Sequence, residues 1–303
     1  MGRFSANSVV FLGLGLISGS LALALRAAGW QGSLSAWGPR EPSLQRGQEL
    51  GIIDGYTLDL DEAIQSADVI VIGAPPMASG DLLATVLPKL DARDQRPVVT
   101  DMASIKGWVI DRAGFNYSRF VPGHPIAGSE HSGVDSAQVR LFQGREVILT
   151  PNEDTDPQAI EWVSAMWQAA GSRITLMSVA DHDAALAASS HSPHMIAYAL
   201  TKALAVDPLD AMRHGGGALR DMTRIAGSDP LMWRDVALTN RVALVDALTR
   251  VEAEIATLKR DIDAEDGSAL EAYFTTCREF RRSHDAILNP LTDLSSVTDD
   301  SVS

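Results

Sequence analysis

Eight residues constrain this chain more than any others: Gly13-Leu14-Gly15-Leu16-Ile17-Ser18-Gly19-Ser20. They follow an apolar run at residues 8–12 (SVVFL) and open an amphipathic stretch. A glycine-rich turn between the first strand and the first helix is the fingerprint of a dinucleotide-binding fold. Gly13 permits the tight turn and Gly15 lets the backbone approach a pyrophosphate. Leu16, Ile17 and Ser18 open the helix, whose free N–H groups and dipole favour an anion. Ser18 stands where the fingerprint has its third glycine, a departure that a small side chain tolerates.

The rest of the first half agrees with that start. Short apolar runs at 33–37, 68–72, 97–100, 120–121 and 146–149 read as buried strands. Amphipathic stretches at 19–28, 42–50, 60–66 and 79–90 read as helices between them. Such alternation predicts a doubly wound parallel sheet, an α/β Rossmann-like domain over residues 1–174. Near residue 175 the pattern changes. Residues 181–204, 208–214, 230–261 and 268–284 read as helices, so residues 175–289 are expected to form an all-helical domain. Residues 290–303 are polar and acidic and read as a disordered tail.

Charge and composition exclude some roles. A formal net charge of -14 argues against a nucleic-acid surface. Glycines and Arg26 interrupt the apolar segment 9–28, and no long apolar run suggests a membrane span, so a cytoplasmic protein is expected. The single cysteine, Cys277, excludes an intrachain disulfide and reads as a packed residue of a late helix. No set of His, Cys, Asp and Glu has zinc-ligand spacing, so no metal is expected. An acid for the ribose hydroxyl of NAD is expected near the end of the second strand. Gly38 occupies that place and Arg40 follows, which favours NADP over NAD.

Three further segments carry polar groups that a bare fold does not need. They are TDMASIK at 100–106, PGHPIAGSE at 122–130, and LRDMTRIA at 219–226 followed by SDPLMWRD at 228–235. With GLGLISGSLA, ADVIVIGAPP and ADHDAALAASSHSPHMIA, they resemble the prephenate/arogenate (cyclohexadienyl) dehydrogenase family, in order and spacing, from Val9 to about Asn289. The resemblance implies oxidative decarboxylation of arogenate or prephenate, with hydride transfer to the nicotinamide, in tyrosine biosynthesis. It implies His124 as the catalytic acceptor of the hydroxyl proton and Ser104 as the residue that orients it. Arg224 would bind a substrate carboxylate, and His191, Ser129, Glu130, Asp221 and Trp233 would complete the substrate pocket. Ala74 and Pro75 would join the glycine turn at the cofactor. His182 and His214 read as surface or helix-end residues, and His194 as packed or capping.

A homodimer is expected through the helical domain, because an apolar stripe on 242–258 would leave a monomer partly wet. Two other readings share the glycine fingerprint. A β-hydroxyacid dehydrogenase or imine reductase would also pair it with a helical domain, but Lys202 lacks the catalytic-lysine context of the former. A nucleotide-sensing protein without turnover would not need the set His124, Ser104 and Arg224.

Overall fold

The structure is a computed structural model that describes residues 4–65, 67–128 and 131–288 of the 303-residue chain. Six strands form one wholly parallel sheet: β1 (Ser8–Leu12), β2 (Ser33–Trp37), β3 (Gly55–Thr57), β4 (Val69–Ile72), β5 (Val98–Asp101) and β6 (Phe120–Val121). Their spatial order is β3-β2-β1-β4-β5-β6. Helices α1 (Leu16–Ala27), α2 (Glu41–Glu49), α3 (Leu60–Gln65), α4 (Pro76–Asp91) and α5 (Gly107–Ala113) connect them.

Period-2 alternation explains why the strands read as unbroken apolar runs. Val9 and Phe11 of β1, with Val69 and Val71 of β4, pack into a core that includes Leu21 and Leu25 of α1. Val10, Leu12, Ile70 and Ile72 point the other way, into a core with Leu83, Val86 and Leu87 of α4. Both faces of the sheet are covered, as the α/β reading requires.

A second sheet was not expected as a separate body. β7 (Gly123–Pro125) pairs antiparallel with β8 (Glu146–Leu149), and β8 pairs parallel with β9 (Arg173–Leu176). Residues 146–149 are therefore a strand, but not one of the parallel sheet. β7 holds a glycine and a proline and lies at the sheet edge, where a missing N–H is tolerated. That composition hides it from a reading by apolar runs. Helix α6 (Pro157–Ala169) joins β8 to β9.

From there the chain is helical: α7 (Val179–Leu186), α8 (Ser192–Ala205), α9 (Gly217–Thr223), α10 (Pro230–Thr239), α11 (Arg241–Asp263), α12 (Gly267–Ser283) and α13 (Asp285–Leu288). The predicted helix 208–214 reduces to a 3-10 turn, Ala211–His214. The predicted helix 230–261 breaks at Asn240. The expected tail lies outside the described residues. The chain divides into two compact units, Met1–Ala247 and Leu248–Ser303. Among the described residues no helix is long and apolar enough to cross a membrane.

Candidate active site

The order of strands reverses between β1 and β4, and the crevice at that switch point is where parallel α/β sheets bind ligands. The glycine turn sits there. Gly13 has φ +102°, and a Cβ on it would lie 2.7 Å from the Gly73 carbonyl oxygen, so only glycine fits. Gly15 precedes α1 in extended conformation, and a Cβ there would meet nothing within 4 Å. The turn therefore leaves its backbone open toward the helix N-terminus, a cradle that fits a pyrophosphate.

Ser18 is buried, and its hydroxyl donates to the Gly13 carbonyl at 2.8 Å. A Cβ on Gly73 would lie only 2.0 Å from that hydroxyl. The missing third glycine is thus matched by a glycine just past the end of the neighbouring strand β4, a partner that the fingerprint alone does not reveal. Ala74 and Pro75 follow Gly73 and lead into α4, with Ser79 Oγ donating to the Ala74 carbonyl at 2.8 Å. At the end of β2, Gly38 is buried and Arg40 is exposed, with no ion pair to any described residue.

The loop after β5 is tied to β7 by a buried lysine. Lys106 Nζ donates to Asp101 Oδ2 at 2.5 Å and to the Gly123 carbonyl at 2.6 Å. Asp101 also accepts from the N–H groups of Ala103 (3.0 Å) and Gly123 (3.2 Å). This lacing fixes the strand that carries His124.

His124 Nδ1 lies 2.9 Å from His182 Nε2, and His182 Nδ1 lies 2.8 Å from Asp183 Oδ1. The Asp183 carboxylate also accepts from Lys106 N–H (2.9 Å) and Gly107 N–H (2.8 Å). Burial alone would raise the Asp183 carboxyl; the His182 bond and the two backbone donors outweigh it and hold it below the usual carboxylate range. Burial, then the neighbouring His182, Lys106 and His191, hold His124 well below the ordinary histidine value. His124 is therefore neutral at neutral pH, as a proton acceptor must be.

A second group of side chains adjoins the first. His191 is buried, and its Nδ1 accepts from Asn240 Nδ2 at 3.0 Å. The same amide nitrogen donates to the Asp183 carbonyl at 2.9 Å. Burial lowers His191 to a pKa of about 4. His194 stacks on Trp233 with centroids 3.6 Å apart, and Trp233 meets His191 edge-on at 6.1 Å. Trp233 is only 8% exposed, and its Nε1–H is buried without a partner among the described residues. Arg224 is exposed and forms no ion pair with a described residue. After burial and a hydrogen bond to the Ser190 carbonyl, its charge is a further influence on His194.

Local helix geometry sets these positions. Between α7 and α8, residues Ala187–His191 form a π-helical turn in which Ser192 N–H reaches back to the Ala187 carbonyl. Pro193 follows at the start of α8. Proline has no N–H to donate and its ring crowds the carbonyl four residues back, so a widened turn accommodates it without ending the helix.

The structure brings some of the residues expected from the sequence together and leaves others apart. His182 is fully buried and not a surface residue, because α7 turns it onto His124 and Asp183. Ser104 is half-buried in the loop before Lys106 and makes no hydrogen bond with a described residue; the His124 ring is held by His182 instead. Asp221 is exposed beside Arg220, at 3.5 Å, and belongs to neither histidine group. Ser129 and Glu130 lie outside the described residues. Cys277 is exposed and not packed, on a helix with no buried residue. Asp183 and Asn240 carried one legible signal each: an acid directly after a histidine, and an asparagine interrupting a periodic apolar run.

Comparison with known proteins shows the family. Residues 21–176 match the family model for the prephenate dehydrogenase nucleotide-binding domain, and residues 178–276 that for the prephenate dehydrogenase dimerization domain. The chain is 34% identical over 279 residues to a cyclohexadienyl dehydrogenase of Zymomonas mobilis, covering 90% of this chain and 94% of that one. It is similar to the crystal structure of prephenate dehydrogenase from A. aeolicus in complex with hydroxyphenyl propionate and NAD+. There the TM-score is 0.87 at 32% identity, over 94% of this chain and 100% of that one. A Synechocystis arogenate dehydrogenase structure gives a TM-score of 0.80 at 29% identity, over 91% and 99%. Fold and matches together define a nicotinamide-dependent oxidoreductase. Within that class, the chain belongs to the prephenate dehydrogenase family.

Proposed function

We propose that this chain oxidatively decarboxylates arogenate, prephenate or both, giving tyrosine or 4-hydroxyphenylpyruvate in tyrosine biosynthesis in the cytoplasm. The observation that carries the reading is a neutral His124, held through Nδ1 on a strand that follows the switch-point sheet, within a cluster of buried polar side chains. A bound nicotinamide supplies the hydride acceptor. His124 presents Nε2 to the ring hydroxyl and takes its proton as carbonyl character develops. His191, its Nδ1 occupied by Asn240, presents an Nε2–H donor. Ser104, Ser129 and Trp233 complete the pocket. Absorbance of the reduced nicotinamide, followed with both substrates and both cofactors, tests the reading. No turnover in any of the four combinations would refute it.

Arg224 binds a substrate carboxylate in this reading, and its exposure without an ion pair among the described residues supports that role. Arg224→Ala is expected to raise KM by an amount equivalent to about 1.5–3 kcal/mol, with kcat less affected. An unchanged KM with a lowered melting temperature would make Arg224 a structural residue.

For the cofactor we favour NADP over NAD. Gly38 removes the acid that would meet a ribose hydroxyl, and Arg40, exposed and without an ion pair among the described residues, can meet a 2′-phosphate. Arg40→Ala is expected to lower kcat/KM for NADP by about tenfold or more, the size of a lost charge-assisted contact, and to leave NAD little changed. A wild-type preference for NAD that Arg40→Ala does not alter would overturn this. For the substrate we lean to arogenate, whose side-chain ammonium asks for a carboxylate. Asp221 and Glu130 are the two acids proposed for that task; Asp221 lies beside Arg220, and Glu130 lies outside the described residues.

The active form we propose is a homodimer, with residues 1–174 as the nucleotide domain, 175–289 as the dimerisation domain and 290–303 as a tail. Val242, Val245 and Ile255 of α11 are exposed in the single chain, as are Phe274 and Phe280 of α12. Apolar residues so arranged favour burial against a second copy. Light scattering at micromolar concentration is expected to give twice the chain mass; a single-chain mass would count against it.

A further inference from the structure

We propose that His182 and Asp183 are positioning residues that fix the tautomer of His124, so that its lone pair stands on Nε2. The inference rests on His124 being the proton acceptor of the proposed reaction, and it adds why that ring is competent. The Asp183 carboxylate is ionised and can only accept, so its 2.8 Å contact with His182 Nδ1 places a proton on that nitrogen. In the proposed arrangement that proton is the only one on the His182 ring, which leaves Nε2 bare and able only to accept. Its 2.9 Å contact with His124 Nδ1 therefore places a proton on His124 Nδ1. A neutral His124 protonated there carries its lone pair on Nε2. In the opposite tautomer Nε2 would carry a proton and could accept none.

Independent features hold Asp183 in this role. Its two oxygens take the N–H groups of Lys106 and Gly107, and its own carbonyl takes the Asn240 amide. A Cβ on Gly107 would lie 2.8 Å from Asp183 Oδ2, so the close approach of the carboxylate requires glycine there. The whole chain of bonds is made of groups that no substrate atom needs to touch. It orients the acceptor from behind, as an aspartate behind a catalytic histidine does in hydrolytic triads.

The test is 15N NMR of the full-length enzyme labelled at histidine, without substrate, joined to steady-state kinetics. His124→Asn and His182→Asn assign the ring signals. In the wild type, His124 and His182 are each expected to show a protonated Nδ1 and a bare Nε2. In Asp183→Asn the amide can donate to His182 Nδ1, which reverses both rings. His124 is then expected to show a protonated Nε2, and kcat to fall about 10²–10⁴-fold with KM held within a few fold. Should Asp183→Asn fail to fold, His182→Gln and His182→Phe decide the matter. Glutamine offers an oxygen to His124 Nδ1–H and phenylalanine does not, so the Gln variant is expected to exceed the Phe variant in kcat by about tenfold or more. A purely structural role for His182 would leave the two alike. A protonated His124 Nε2 in the wild type, or a reversed tautomer without loss of kcat, would overturn the proposal. If the wild type turns over neither substrate, the proposed function fails, while the NMR spectra still decide the tautomer.

Discussion

His124→Asn is expected to lower kcat by about 10²–10⁴-fold while KM for the cyclohexadienyl substrate changes little. An asparagine amide can still accept a hydrogen bond from the substrate hydroxyl, so ground-state binding is largely retained. It cannot take the proton as the carbinol carbon becomes a carbonyl, so the loss falls on the transition state. The pH profile checks the same residue from another side. Protonation of His124 removes the acceptor, so kcat/KM falls as pH drops through the His124 pKa. Burial, His182, Lys106 and His191 all hold that pKa well below the ordinary 6.5. The free-enzyme rate constant is therefore expected to stay level as pH falls through 6.5 and to decline only in more acidic solution. An acid limb centred near 6.5, or near-normal turnover by the variant, would take His124 out of the role.

Lys106→Met is expected to destabilise the protein by about 3–5 kcal/mol, read as a shift in urea unfolding. The pair with Asp101 is fully buried on both sides. Burial pushes the Lys106 ammonium below its usual pKa while Asp101 opposes that shift. Removing the lysine leaves Asp101 with its two backbone donors but without a counter-ion. It also releases the Gly123 carbonyl, one residue from His124, so activity should fall together with stability. The double variant Asp101→Asn/Lys106→Met should regain part of the lost stability, because no unpaired charge remains. A loss below about 1 kcal/mol, the range of exposed pairs, would show that water reaches this one.

The nucleotide half of the fold was legible because its signals are local. Five of the six parallel strands announce themselves as apolar runs: β1, β4, β5 and β6 are buried on both faces, while β2 shows through Leu34, Ala36 and Trp37. β3 does not, because none of its three residues is fully buried. β7 was hidden for the opposite reason: Gly123, His124 and Pro125 read as a loop, and only pairing to the distant β8 makes them a strand. The site divides along the same line. His124, Arg224 and Trp233 stand in segments whose polar content has no purpose in a bare fold. The roles of His182, Asp183, Lys106 and Asn240 depend on contacts between α7, the loop after β5, β7 and the break before α11. Nothing along a single stretch of chain reports those contacts. Cys277 shows the complementary error, since apolar periodicity indicates a face to be covered but not what covers it.

The fit between Ser18 and Gly73 has a consequence for how such a chain can change over time. The serine hydroxyl and the Gly13 carbonyl together occupy the space that any side chain at 73 would need. Trimming position 18 to glycine removes the first obstacle and leaves the second, a backbone oxygen 2.7 Å from a Cβ at 73. Position 73 is therefore held to glycine whatever stands at 18, while position 18 can alternate between serine and glycine. Of two residues that touch across the turn, one is frozen by the main chain and the other is left free to drift.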